Sequence, residues 1–391
     1  MVEKEAEFFL EELFFSRTDF KGIIKSGNSV FHRVSGFEWN ELLNRPHNVI
    51  RHPNMPRGAF HYVWQELKLF NPIGAYVQNR SKDYGRYWVL ALAVPVPDGY
   101  LSIRLKPSSG LLETISKLYE EVRYLESRLS PAESQEVLLQ KVIDLGYSSY
   151  QEFMTEALII ELDSRQQKLT GRSVPELLLL KDLNEVNKSM CKIPARILET
   201  YKSIVWTPLN LEITALKLGD VGRAVGVVAS TYQKMIKDLE KEIKLFEEVS
   251  LAVDKEIREA TFLQAACYLI SEIVDFFMND KANEYIDTNH ELKYLSDLKE
   301  VYESKVSETL DKVNRTLNDF STICKTLRSL ILSIEVIRVT GKVEISRLDT
   351  AHEFTAILNE LNKFQKELAD NMMVLQNSLR MSSDIVLKML A

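Results

Sequence analysis

Four of the six histidines, His32, His47, His52 and His61, fall in the first part of the chain, where an imidazole could ligate a haem iron. A lone histidine is more often satisfied by packing and hydrogen bonds, so ligation stands as an alternative. The three cysteines, Cys191, Cys267 and Cys324, lie far apart and form no CxxC pair, which argues against a zinc site or disulfide framework and fits a reducing compartment. Glu344 and Arg347, three residues apart, share a helix face and either pair with each other or meet a partner. No P-loop, GxGxxG, nucleophile elbow, HExxH, kinase or cyclase motif is present, so the expected protein is not an enzyme.

The 391 residues are 45% hydrophobic and 27% charged, ordinary globular composition that excludes a largely disordered chain. A net charge of −7 gives no encouragement to nucleic-acid binding. Apolar runs such as Trp88–Val96, with Pro95 inside it, are too short to cross a membrane. The acidic start, MVEKEAEFF, lacks a secretory pattern. A cytoplasmic protein without membrane insertion is expected.

The chain changes character near residue 108. Seven of the 11 prolines and eight of the 14 glycines lie in residues 1–110. Residues 1–108 carry 14 basic and 11 acidic side chains, the remainder 35 and 45. From Leu209 onward there is no proline, and the only glycines are Gly219, Gly222, Gly226 and Gly341, which predicts long uninterrupted helices. Before the boundary, Gly22–Lys25, Ile73–Arg80, Arg86–Val96 and Tyr100–Lys106 read as strands, and Glu38–Leu43 and Arg57–Phe70 as short helices. The expected fold is α+β: one antiparallel sheet with short helices on one face and a pocket between the layers.

Beyond the boundary, apolar residues step by three or four from Met235 to Ile257, from Val306 to Ile334 and from Phe354 to Leu379. One seven-residue gap, Phe320 to Leu327, interrupts the second stripe. Lys/Glu mixtures fill the other faces, as in an all-α antiparallel coiled coil or four-helix bundle. Residues 216–226, 279–291 and 339–354 are the expected turns. Asp220 and Asp349 lie about equally far from residue 284, and residues 174–216 match the last arm in length. Residues 174–391 are therefore expected to form two helical hairpins with adjacent tips, near 218–222 and 347–351. Residues 109–173 become a helical linker, with Ser109–Leu129 the expected route into the bundle.

Two stretches resemble known families. FSRTDFKGIIKSGNSVFHRVSGFEWNELLNRPHNVIRHPNMPRGAF, with VQNRSKDYGRYWV and GYLSIRLKP, resembles the PAS domain of bacterial aerotaxis receptors over residues 10–108. PHNVIRHPNMP (46–56) is the most specific part. The resemblance implies a redox sensor binding FAD noncovalently, with contacts at Asn28, Arg51, His52, Asn54, Trp64 and Asn79. Asn54 stands where the family usually has Asp, and Ile73 where it often has Trp. Arg51 can neutralise a phosphate or a reduced flavin. Asn79 can donate and accept at a ring edge. Trp64 can stack on a ring or fill the core of its helix. Haem, or an empty or small-ligand pocket, is the alternative.

The second stretch, PLNLEITALKLGDVGRAVGVVAS (208–230), is similar to the chemoreceptor signalling tip, with Lys217 for its Arg and Thr214 for its Glu. A fainter copy is VTGKVEISRLDTAHEFTAILNEL (339–361), in which Glu344 and Arg347 keep a Glu-x-x-Arg spacing. This resemblance implies contacts from Asn210, Lys217, Arg223, Glu344 and Arg347 to a chemotaxis histidine kinase and its coupling protein, and leaves a homo-oligomer open. The paired Glu247-Glu248 is of the kind methylation uses, but such pairs are commonly solvated, and no methylation is expected. The expected function is a redox or oxygen sensor whose PAS domain biases a helical signalling bundle. A scaffold whose PAS domain only mediates contacts is the rival reading.

Overall fold

The structure is a computed structural model that describes residues 6–279, 285–348 and 351–390. The first elements are β1 (Leu13–Thr18), β2 (Ile24–Gly27), α1 (Ser29–Ser35), α2 (Trp39–Leu42), α3 (Arg57–Lys68), β3 (Ile73–Arg80), β4 (Arg86–Val96) and β5 (Gly99–Leu105). The strands form one sheet in the order β2-β1-β5-β4-β3, with every neighbouring pair antiparallel. Strand β1 has no counterpart among the expected strands. Its sequence, LFFSRT, is buried throughout, and a short run buried on both faces lacks the alternation that marks a strand.

Helices α4 (Leu111–Leu125), α5 (Pro131–Asp144) and α6 (Tyr150–Thr170) follow. Ser130 and Glu133 form a capping box at the start of α5, with Pro131 in its first turn. The segment Ser109–Leu129, expected as the route into the bundle, packs on the sheet. Helix α4 turns Ile115, Leu118, Tyr119 and Val122 inward, and the Tyr119 hydroxyl donates to the β3 carbonyl of Tyr76 at 3.0 Å. Its apolar stripe is consumed in covering the sheet.

The remaining helices are α7 (Pro175–Met190), α8 (Ile193–Ile204), α9 (Thr207–Lys217), α10 (Arg223–Met278), α11 (Thr288–Ser346) and α12 (Thr355–Leu390). Helices α10 and α11 have 56 and 59 residues, about 85 Å each at 1.5 Å per residue. The chain divides into two compact units, residues 1–181 with 258–308, and 182–257 with 309–391. These cut across the boundaries expected at 108 and 173, because the C-terminal part of α10 and the N-terminal part of α11 belong with the sheet. Helices α7, α10 and α11 each contribute to both units.

In the second unit the arms run antiparallel. Helix α10 faces α11 through stacked Phe246 and Phe320, 5.0 Å between centroids, and through Glu256 and Thr316 at 2.6 Å. Helix α11 faces α12 through Arg338 to Gln365 and Arg328 to Gln376. Tyr201 reaches Glu240, and Thr207 reaches Glu360. Cys324, buried, fills the seven-residue gap of the second stripe. One turn lies at Gly219–Gly222 and another ends in Ala351–Phe354, while Asp349 and Thr350 lie outside the described residues. Both turns feed one apolar cluster, in which Leu211, Ala215 and Val225 pack with Ile345 and Phe354. An 18-residue window within Gly219–Met278 has mean hydropathy 1.3, and 61% of it is buried within the protein.

A Cβ on Gly341 would lie 4.0 Å from the Cβ of Val228, within the range of a disulfide. Val228→Cys with Gly341→Cys, in a chain lacking its three native cysteines, is therefore expected to crosslink within one chain on oxidation. Non-reducing gels check this, and crosslinks formed only between chains would contradict the antiparallel register.

Candidate functional site

Alternation along the strands divides the sheet into two unlike faces. On one face Ala75 pairs with Ala91, Ala91 with Arg104, Ala93 with Ser102, and Ser102 with Ser16. These side chains are mostly too short to fill the space above them. Opposite stand Phe60, Val63, Trp64 and Leu67 of α3 and the segment from Pro46 to Arg51. Between them lies a cavity of about 530 Å³.

Three of the six expected contact residues line it: Arg51, Trp64 and Asn79. Arg51 and Asn79 are joined by an antiparallel bridge outside the named strands. The Arg51 guanidinium stacks 4.2 Å from the Phe60 ring centroid and donates to the Met55 carbonyl at 3.2 Å. Burial lowers its pKa. Asn79 is 2% exposed, and its Nδ2 amide has no hydrogen-bond partner in the protein. Trp64 meets Tyr100 edge-on at 5.6 Å, and its ring lies where a Cβ on Gly22 would fall, at 2.8 Å.

The other three lie elsewhere. Asn28 caps α1: its Oδ1 accepts from Phe31 and Phe15, and its Nδ2 donates to the Leu13 carbonyl at 3.0 Å. His52 is buried beside the cavity, and its Nδ1 accepts from the Asn54 amide at 3.1 Å. Asn54 is exposed and borders a separate polar depression with Gln78 and Arg86.

Sequence reasoning named His47 only among the possible haem ligands and missed Arg104, Ser16 and Ser102; all four line the cavity. Arg104 donates to His47 Nε2 at 2.7 Å, which leaves the ring proton on Nδ1, and Ser16 Oγ lies 3.1 Å from the same nitrogen. Burial, and then the Arg104 charge, hold His47 well below its usual pKa, so the imidazole is neutral. Burial pushes Arg104 down to about 10. One signal was legible: Ser102 and Arg104 are polar residues two apart in an otherwise apolar strand, the spacing of a shared face.

No family model matches the chain. Over 110 residues it is 39% identical to the aerotaxis receptor of Escherichia coli K12, which covers 27% of this chain and 22% of that receptor. The first domain is a PAS domain of the aerotaxis-receptor type. The chain thus spans about a fifth of the length of the curated relative it matches. Two similar solved structures are PAS or light-oxygen-voltage domains. The PAS domain of a Colwellia psychrerythraea protein is 18% identical, over 24% of this chain and 85% of its own, with a TM-score of 0.23. A light-oxygen-voltage domain studied with a flavin analogue is 20% identical, over 28% of this chain and 86% of its own, with a TM-score of 0.24.

The helix that roofs the PAS cavity is held from a distance. Pro56 gives α3 no side-chain cap. The buried Glu126 carboxylate accepts instead from the amides of Arg57 and Gly58, and from Ser134 Oγ at 2.6 Å. Gly58 is required there, since a Cβ would fall 2.4 Å from the α5 backbone.

Near the turns of the second unit, Asn210, Lys217 and Arg223 are exposed. Arg223 pairs with Asp220 at 2.8 Å, and Glu344 with Arg347 at 2.9 Å, as their spacing allows. Gly222 would drive a Cβ to 2.0 Å from the Ala215 carbonyl oxygen, whereas a Cβ on Gly226 meets nothing.

Burial would raise the pKa of Glu126, but hydrogen bonds from Ser134, Arg123, Gly58 and Arg57 outweigh it and hold the group below its usual range. A depressed carboxylate stabilises the fold above its unfolded pKa of about 4.3, and that contribution is lost as pH falls further. Glu126→Gln should cost about 1–3 kcal/mol at pH 7 and flatten the acid limb of the stability profile. Urea titrations from pH 3 to pH 7 check both.

Proposed function

We propose that the PAS cavity binds a flavin, FAD, and that the protein is a cytoplasmic redox or oxygen sensor that signals through its helical bundle, without catalysing a reaction. The observation that carries this reading is the buried Asn79 amide, which lines the cavity and has no partner in the protein. An unpaired buried donor costs about 1–3 kcal/mol, which a ligand acceptor would restore. The rest of the cavity fits the same group. Small side chains make a level floor, Trp64 and Phe60 give flat apolar surface, and Arg51 supplies a planar cation at a half-buried position.

Bound flavin would supply a reversible redox centre. The chain's own residues would bind it, orient it and exclude water. Haem is disfavoured by the histidines. His47 Nε2 is taken by Arg104, His52 Nδ1 accepts from the Asn54 amide, and His61 is exposed and bonded to Gln135.

For the output, the proposal is that Asn210, Lys217, Arg223, Glu344 and Arg347 contact a chemotaxis histidine kinase or its coupling protein. The support is that the two turns join in one cluster while these side chains lie at or near its surface. Gly226 also persists inside α10, where it costs about 1 kcal/mol against alanine and no neighbour requires it.

Two measurements test the proposal. Purified protein should show flavin absorption bands and no Soret band. Arg51→Ala or Asn79→Val should lower occupancy ten- to hundredfold under limiting FAD, for a lost contact of about 1–3 kcal/mol. Full occupancy in both variants defeats the flavin reading. In pull-downs with purified kinase and coupling protein, Lys217→Glu with Arg347→Glu should abolish capture, and capture that ignores both changes removes the tip reading.

A further inference from the structure

The cavity holds a cation with no anion. Arg104 is 3% exposed, near the end of β5. Its Nη1 donates to the Ser102 carbonyl at 3.3 Å and its Nη2 to neutral His47 at 2.7 Å. Its guanidinium lies 5.4 Å from the Phe14 ring and 5.8 Å from that of Phe31. Among the described residues no carboxylate pairs with it. The other buried arginines of this unit show the contrast: Arg17 pairs with Glu291 at 2.6 Å and Arg165 with Glu272 at 2.7 Å.

Removing a charge from water without a counter-charge costs several kcal/mol, and a well-packed apolar side chain of similar volume is often neutral or stabilising in its place. Folding alone therefore gives no reason for an arginine here. A ligand does, if it brings negative charge to this end of the cavity.

We propose that Arg104 is the charge-recognition residue of the cavity: it holds a negatively charged group on the ring of a planar heteroaromatic ligand. The inference rests on the flavin reading. Uptake of two electrons and one proton converts the neutral oxidised ring into a singly charged anion, whereas a second proton would leave it neutral. A fixed cation at a buried position favours the anion, because Coulomb interactions are far stronger there than in water. Arg104 thus makes the cavity prefer the reduced ring over the oxidised one.

The ring, rather than a phosphate, is assigned to Arg104 because of depth. Lys21 and Arg57 also line the cavity but are exposed, and Arg51 is half-buried. Those three are placed for a solvated phosphate. His47 is a positioning residue. Its Nε2 accepts from the guanidinium, and its ring lies parallel to Phe31 at 6.2 Å, which fixes the direction in which Arg104 presents its remaining donors.

The test measures dissociation constants for FAD, oxidised and reduced with dithionite under anaerobic conditions, in the full chain and in Arg104→Gln and Arg104→Lys. Arg104→Gln should weaken the reduced form at least tenfold more than the oxidised form, and Arg104→Lys should keep part of the preference. An unchanged ratio in Arg104→Gln, with FAD still bound, overturns the proposal while leaving the flavin reading intact. Failure of the unsubstituted chain to bind FAD in either state overturns both.

Riboflavin, which has no phosphate, separates the two charge sources. The same loss with riboflavin supports the ring, and a loss seen only with FAD assigns Arg104 to phosphate and overturns the proposal. Thermal unfolding of ligand-free Arg104→Met gives a readout independent of flavin. An unchanged or higher midpoint is expected, and a clear fall would mark Arg104 as a structural residue.

Discussion

A sheet buried on both faces is the constraint on which the first unit depends. Strands with large side chains on one face, such as Phe15, Tyr76, Leu90, Leu92 and Ile103, must find helices to cover them. Helix α4, α6 and the C-terminal part of α10 do so, as the contacts of Tyr119 with Tyr76, of Phe153 with Tyr76 and of Phe277 with Phe15 record. Burying one such side chain contributes about 1.5–3 kcal/mol. The opposite face carries Ala75, Ala91, Ala93, Ser16 and Ser102, and forgoes most of that gain. The cavity is the structural result of that asymmetry.

Two buried carboxylates then hold the covering helices in place. Glu126 serves the start of α3 over the cavity. Glu161 of α6 accepts from the Tyr76 hydroxyl at 2.8 Å, from the amides of Ser108 and Ser109 and from the Ser109 hydroxyl, just before α4 begins. Each reaches a helix start, where amides lack intrahelical acceptors and the helix dipole favours negative charge. Burial, the first cause, together with Glu161 keeps the Tyr76 hydroxyl protonated, its pKa far above the usual phenol range. Both faces of the sheet are thus tied to neighbouring helices through polar groups that have few alternatives.

The second unit is held by a simpler rule. Apolar residues three or four apart make one stripe per arm, and antiparallel arms bury their stripes together. Buried polar groups interrupt that rule, as where Asn187 donates to Asp254 at 2.7 Å. Such a pair has few other places in the core to go, and it fixes the register of α7 against α10.

Much of this was legible in the chain itself. Absence of proline and scarcity of glycine after Leu209 determined long helices, because nothing there breaks the backbone hydrogen-bond ladder. Glycine at 219 and 222 marked the turn, and the stripe ending at Leu379 matches the buried face of α12. The motif around Arg51 and the strand bearing Asn79 pointed to the cavity. Other features were decided only in three dimensions. Asn28 is a ligand candidate through the resemblance, yet folding commits its amide to Phe31, three residues on, and to Phe15 and Leu13 of β1. Met235 and Val249 continue a stripe on paper, but Ile236 and Ser250 take the buried positions, because small offsets accumulate along a long helix. Helix α4 reads as a linker until the uncovered sheet face is known. Arg104 reads as one more arginine in a strand, since a missing counter-charge is a property of everything packed around it, and no local pattern encodes that.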